Sequence, residues 1–570
     1  MLTWSHKNII TYILVFIFLA ISASLAIFSS RGDAGIVDEI AHIPAGYSYL
    51  DKFDYRLNPE HPPLAKALAA IPLKFLPLNK PYSDWSWDGI NQWEQGWYFL
   101  YKAGNNPDQI LFWSRLPIIL LMLATGLILF FWAKKLYGKK TALLVLVIFL
   151  FSPNILAHGR LVTTDIAATF GFLISIISFD NYLRKPTWQN LILAGLLFGI
   201  ALLLKFSTVL LVPIFGVYIL VKAILERNER PFWSNFLAKI GWTALICLFG
   251  FLLNLLVYII LTWNTPIAVE RQLIDLSFPG DRSVALRELL KTLAGIPILK
   301  AFGHWLLGFL MVFSHTVGGH TAYLLGQFSR VGWWYFFPLA YLFKEPLPVI
   351  ILLLVSIFVL FVRRPRDKED VWNLTLFLTP IVVYFAVSMK GSLNIGIRHL
   401  LPTFPFIYLL IARTVRPYLI AWRWNLVTVA LIVLGAWYLG GTFFAYPKYL
   451  AYFNELRFLI SKQKYEILVD SSLDWGQDLK RLAYFVQENN IQKIKVDYFG
   501  GGVPSYYIPQ SVEWHSQYGP TSGWIAISAT FLEMSKYFGP QENQADYSWL
   551  ENYQPVTIIG DSILVYNINR

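Results

Sequence analysis

Charge is scarce in this chain. Only 14% of its 570 residues are Asp, Glu, Lys or Arg, against roughly 25% in a typical soluble globular protein, and 56% are hydrophobic, for a mean hydropathy of +0.50. That shortage excludes an ordinary soluble enzyme. Cysteine is nearly missing too: Cys247 is the single one, so neither a disulfide framework nor a Cys-ligated metal site can form within one chain. The redox compartment cannot be read from cysteines. No internal repeat is visible, which weighs against a transporter built from inverted halves.

What is present in abundance is apolar sequence in blocks of about 20 residues, the length that crosses roughly 30 Å of hydrocarbon at 1.5 Å per residue. The blocks fall at about 8–28, 112–132, 141–158, 162–181, 189–205, 207–224, 240–263, 346–362, 371–388, 399–412 and 424–443. The chain is expected to be a polytopic α-helical membrane protein with about eleven spans. The first block follows Lys7 and exceeds the usual 7 to 15 residue core of a secretory signal, so it reads as a retained span.

The net charge of +12 sits in short clusters between the blocks: Lys134, Lys135, Lys139 and Lys140; Arg184 and Lys185; Lys222, Arg227, Arg230 and Lys239; Arg363, Arg364, Arg366 and Lys368; Arg413, Arg416 and Arg423. With a cytoplasmic amino terminus every one of these clusters faces the cytoplasm, as the positive-inside rule requires. Orientation in a plasma membrane therefore accounts for the basicity, and nucleic acid is not implied. An odd span count places the carboxyl-terminal region outside.

Three segments on that outer side are too long to be connectors. The loop 29–111 holds helix-like stretches at 38–50 and 63–76 and a run containing Trp85, Trp87, Trp93 and Trp97. The loop 264–345 holds an amphipathic stretch at 286–293, an apolar stretch at 305–313 and the aromatic run GWWYFFP at 332–338. Such Trp and Tyr density suits the headgroup zone. The third segment, 445–570, returns to soluble composition and reads as a small extracytoplasmic α/β domain beside a transmembrane catalytic domain, 1–444. Its strands are expected at 465–469, 494–499, 524–528 and 563–566, and a helix at 474–488. Gly500, Gly501 and Gly502 read as a plain turn rather than a phosphate loop, because no helical pattern follows them.

Candidate reactive residues gather at the outer face. Asp38 and Glu39 lie about ten residues beyond the first span, and His42 shares a helix face with Asp38, where it could orient or tune the carboxylate. A carboxylate at a semi-dry surface can act as a general base, although an acid pair at a helix start also answers the helix dipole. Asp165, with Arg160 just before it, opens the fourth span as part of a shared site or as a helix cap. The run Asn58-Pro59-Glu60-His61-Pro62-Pro63-Leu64-Ala65-Lys66 enters a helix whose first amides, with Lys66, could meet a phosphate; a structural corner is the alternative. Lys205 either snorkels or faces a polar cavity. Arg398 and His399, and Lys344 and Glu345, mark the same depth. Cations to stabilise a leaving phosphate and a carboxylate to accept a proton are what transfer from a lipid-linked phosphate donor requires. The competing function is a secondary transporter or lipid flippase, which also uses many spans and intramembrane ionisable groups.

These residues also carry a family resemblance. Asp38-Glu39, the HPPLAK run at 61–66 and Asp165 resemble the protein O-mannosyltransferase group, glycosyltransferase family 39 of the GT-C superfamily. GGHTAYLLGQFSRVGWWYFFP (318–338), KYLAYFNEL (448–456) and DSSLDWGQDL (470–479) are similar to the phospholipid carrier-dependent glycosyltransferases of bacteria and archaea within that group. The resemblance covers nearly the whole chain. It implies an inverting transfer of mannose or another hexose from a polyprenyl-phosphate-linked donor to a hydroxyl acceptor at the outer membrane face. Asp38 would be the base that deprotonates the acceptor, with Glu39 and Asp165 positioning the acceptor or shaping the site. His42, His61, Lys66, Arg160, Lys205, Arg398 and His399 would bind the donor phosphate or substrate. The β-trefoil module of eukaryotic members has no counterpart here, so the acceptor could be a protein Ser or Thr or a lipid-attached glycan. A divalent cation is a possible cofactor, and no metal-ligand set stands out.

Overall fold

A computed structural model describes residues 6–421 and 424–568; Arg423, from the last basic cluster, lies outside the described residues. Among the described residues, eight helical segments are long and apolar enough to cross a membrane, including Ile9–Arg31, Pro107–Tyr137, Asp165–Arg184 and Phe232–Leu261. The shorter apolar helices Lys139–Leu150, Trp188–Leu204, Leu347–Val362 and Phe404–Ile420 occupy the remaining blocks, so each apolar block of the sequence lies on a helix. The protein is an integral, multi-pass membrane protein.

One of the eight was not expected. The stretch at 305–313 is the middle of a 22-residue helix, Pro297–Gly318. Lys300, His304 and His315 interrupt its hydropathy, yet Ala301, Gly303, His304, Leu307 and Gly308 form its buried face, which is how a polar residue hides in an apolar helix.

Close helix contact depends on small residues. Trp188–Leu204 crosses Phe232–Leu261 so tightly that a Cβ on Gly199 would stand 2.7 Å from the Gly250 carbonyl oxygen. Basic loops collect at one end of the bundle: Lys135 donates to Asn181 (2.9 Å), Arg184 pairs with Glu369 (2.7 Å) and Arg413 with Asp370 (2.7 Å). Asp165 and Arg184 terminate the same 20-residue helix, about 30 Å apart, so the candidate acids lie at the opposite end.

At that end the first loop folds into Val37–Lys52 and Pro63–Ala70, both near their expected places. The second loop carries a hairpin, β1 (Ala322–Leu324) and β2 (Gln327–Ser329), paired antiparallel. The tail forms a five-stranded sheet of β3 (Ile494–Asp497), β4 (Ser511–Glu513), β5 (Gly523–Ser528), β6 (Thr557–Ile559) and β7 (Ile563–Ile568) in the order β4-β3-β5-β7-β6. β3, β4 and β5 run parallel; β7 is antiparallel to β5 and β6.

Two tail expectations are corrected. Residues 465–469 are not a strand: a 3-10 turn occupies Lys464–Glu466, Ile467, Leu468 and Val469 are all buried, and the Ile467 carbonyl accepts from Leu325 N of the hairpin turn at 3.0 Å. The helix begins at Leu479 rather than 474, because Gly476 takes a φ of +95° that breaks helical geometry. The Gly500–502 turn serves close approach. A Cβ on Gly501 would overlap the Ile36 carbonyl oxygen, and the Gly501 carbonyl accepts from Trp97 Nε1 at 3.1 Å.

Candidate active site

Glu39 is the fixed point from which the site is built. Its Oε1 accepts from Arg115 Nε (2.8 Å) and Val162 N (3.1 Å), and its Oε2 from Arg115 Nη2 (2.7 Å) and Ile36 N (3.1 Å). Both oxygens are saturated and the residue is fully buried, so Glu39 is a clamp and not a reactive acid. The clamp ties the start of Val37–Lys52 to the 161–163 turn and thereby sets Asp38 beside Asp165. Arg115, which donates also to the carbonyls of Ser30, Asp33 and Ala34, escaped the sequence reading because it sits inside a long apolar helix.

Asp38, Arg398, Asp165 and Lys205 form a continuous charge chain. Asp38 Oδ2 lies 2.7 Å from Arg398 Nη1, which lies 3.7 Å from Asp165 Oδ2, while Asp165 Oδ1 accepts from Lys205 Nζ at 2.5 Å. The chain is alternately signed and formally neutral. Its exposure is uneven: the Asp165 side chain is 1% exposed, Lys205 12%, Arg398 11% and Asp38 19%. Asp38 is thus the more accessible carboxylate. The Arg398 guanidinium stands over the Trp475 ring at 4.2 Å, a desolvated cation–π contact. Around the chain, Asp165 Oδ2, Thr163 Oγ1, His158 Nδ1, Arg398 Nε and His399 Nε2 are buried without a hydrogen-bond partner among the described residues. Such a cluster of unsatisfied polar atoms is exceptional in a folded interior.

Four other sequence candidates, His42, His61, Lys66 and Arg160, have protein partners or neighbours outside the charge chain. His42 Nδ1–H donates to the Val162 carbonyl (2.9 Å) instead of meeting Asp38, and its ring stands edge-on to His61 at 5.2 Å. Burial pulls both imidazoles below their ordinary pKa, so both are neutral near pH 7. Lys66 is enclosed by protein acceptors. The residue is 1% exposed, and its ammonium is surrounded by Tyr49 OH (2.8 Å), Asn58 O (2.6 Å), Asn58 Oδ1 (2.8 Å) and His61 O (2.7 Å), more acceptors than its three protons. Burial holds it well below the usual lysine range. Arg160 pairs with Asp33 (3.0 Å) and donates to the Pro447 carbonyl (3.0 Å), and Asp33 pairs in turn with Arg481 (2.9 Å). That network anchors the tail. Lys344 does the same work, donating to the carbonyls of Leu450 (2.8 Å) and Ser472 (2.5 Å), and Glu345 accepts from Tyr408 at 3.0 Å.

The tail supplies residues that the sequence reading did not place in the site. Trp475 underlies Arg398, and Asp470 lies within electrostatic reach of both Arg398 and Asp38, its carboxyl pushed up to about 6 by burial. Asp474 is raised to about 8, again by burial, with Thr530 N donating to Oδ2 at 2.9 Å. All three belong to the DSSLDWGQDL run, whose three acids within ten residues of an otherwise charge-poor chain were the available signal.

Fold and site together define a multi-pass membrane protein with a buried charge chain at one end of its helix bundle. Residues 108–261 match the family model described as dolichyl-phosphate-mannose-protein mannosyltransferase. The matched segment is about a quarter of the chain. Among solved structures, ArnT from Cupriavidus metallidurans bound to undecaprenyl phosphate is 11% identical, with 97% of each chain covered and a TM-score of 0.46. The apo oligosaccharyltransferase of Archaeoglobus fulgidus is also 11% identical, over 95% of this chain and 72% of that one, at a TM-score of 0.46. No curated protein matches the chain.

Proposed function

We propose that the enzyme moves a hexose from a polyprenyl-phosphate-linked donor to a hydroxyl acceptor, protein or glycolipid, at the outer membrane face, with inversion at the anomeric carbon. The observation that carries this reading is the charge chain, in which a partly exposed carboxylate, Asp38, shares Arg398 with a buried one, Asp165. Asp38 takes the proton of the acceptor hydroxyl while its oxygen attacks the anomeric carbon. The bond from that carbon to the phosphate oxygen breaks, and the phosphate leaves carrying the electron pair. Arg398 and Lys205 are the cations on hand to stabilise its developing charge. Asp165 positions both by pairing with them, and Trp475 limits where the Arg398 plane can lie. Among the described residues no three His, Cys, Asp or Glu side chains are grouped to hold a metal, so no step is assigned to a divalent cation.

Purified enzyme given a polyprenyl-phosphate hexose should release polyprenyl phosphate when an acceptor is added. Asp38→Asn should abolish release without unfolding the protein. Full activity in that variant would remove Asp38 from the base role, and substrate flux across proteoliposomes without sugar transfer would favour the transporter reading instead.

A further inference from the structure

Where the helix Leu426–Ala445 ends, it and the segment 446–464 enclose a groove of about 820 Å³. Its membrane-side wall includes Gly440, Gly441 and Phe444. A Cβ on Gly440 would meet nothing within 4 Å, so helix packing does not demand a glycine there, and the missing side chain widens the groove. Phe444 is 95% exposed, and Phe458, Leu459 and Ile460 nearby are 60%, 79% and 54% exposed. Four large apolar groups open to the surroundings are costly in water and normal against acyl chains.

The rim is cationic. Lys464 is the neutralised member, donating to Asp561 Oδ2 (2.8 Å) and to the Ala451 carbonyl (2.7 Å). Burial lowers its ammonium, and Arg457 and Lys448 lower it further, which puts all three cations within electrostatic reach of one another. Glu455, the other acid on the rim, accepts from Trp437 Nε1 at 2.8 Å. Among the described residues Lys448 and Arg457 make no ion pair. None of the charge-chain residues Asp38, Asp165, Lys205 and Arg398 lines the groove.

We propose that this groove docks an anionic phospholipid from the leaflet that the tail faces. Its phosphate lies between Lys448 and Arg457, and an acyl chain runs along Gly440, Gly441 and Phe444. Complementarity selects the occupant: two unpaired cations at headgroup depth over an apolar wall match a negatively charged headgroup better than a zwitterionic one.

Native mass spectrometry of the delipidated full chain, titrated with phosphatidylglycerol or phosphatidylcholine, tests this. One phosphatidylglycerol should be retained about 10- to 30-fold more tightly than phosphatidylcholine, the scale two surface cations supply. The double variant Lys448→Ala, Arg457→Ala should lose that preference. Gly440→Leu, which keeps both cations, should lose the bound lipid by filling the groove. Equal retention of the two lipids by the unaltered protein, or unchanged phosphatidylglycerol binding in both variants, would overturn the proposal. So would a double variant that loses added polyprenyl phosphate while keeping phosphatidylglycerol.

Discussion

Asp38 and Arg398, 360 positions apart, meet at 2.7 Å, and through Arg398 a first-loop carboxylate comes under the influence of Asp165 on another helix. Each substitution along this chain should have a distinguishable signature.

Asp38→Asn should lower turnover by about 10²- to 10⁴-fold, the range for loss of a general base, with thermal unfolding little changed because the side chain is partly exposed. Asp165→Asn should also cost activity, but with a stability loss of about 3–5 kcal/mol, since it strips Lys205 of its buried partner. Paired turnover and thermal-shift measurements separate the two. Equal destabilisation by both would contradict the division of labour.

Arg398→Lys should behave unlike a conservative change. A lysine cannot reach Asp38 and Asp165 together while lying flat on Trp475, because only a guanidinium offers a planar set of donors. Turnover should fall about 10²-fold or more, with donor KM raised. Steady-state kinetics on purified enzyme would show it; near-normal kinetics would mean that charge alone suffices.

Glu39→Gln and Lys66→Met should act on folding rather than on donor binding. Glu39→Gln leaves Arg115 buried and uncompensated, a loss of about 3–5 kcal/mol. Lys66→Met should destabilise by leaving Tyr49, Asn58 and His61 acceptors unmet, yet donor KM in the surviving folded fraction should stay within about twofold. A large KM change in Lys66→Met would point to it as a phosphate ligand.

Asp474 should make the docked tail sensitive to alkali. Its carboxyl is raised to about 8 in the folded protein, so between the ordinary carboxylate value and that pH the folded state binds more protons than the unfolded one. Stability from this group is therefore full at low pH and lost as pH rises toward 8, at up to about 1.4 kcal/mol per pH unit. Asp474→Asn mimics the protonated form. The difference in melting temperature between variant and parent should grow in the variant's favour from pH 6 to pH 8, and a difference independent of pH would refute the assignment.

Period and composition alone determined the membrane class of this protein, the helices under its apolar blocks, the two first-loop helices and most of the tail's strands. These are local or one-dimensional properties: a 20-residue apolar block needs no partner to be recognised. The acids Asp38 and Asp165 and the cations Lys205 and Arg398 were legible as types at one depth. Their pairing was not, because it depends on where the Glu39–Arg115 clamp sets one loop against another. Tertiary structure also gave Lys66 and Arg160 protein partners, carbonyls and a carboxylate from other turns of the chain, and brought Trp475 and Asp470 from the tail to the site. A charge in a charge-poor chain advertises itself in sequence, whereas the neutral groups that hold, stack on or silence it are visible only once the chain has folded around it.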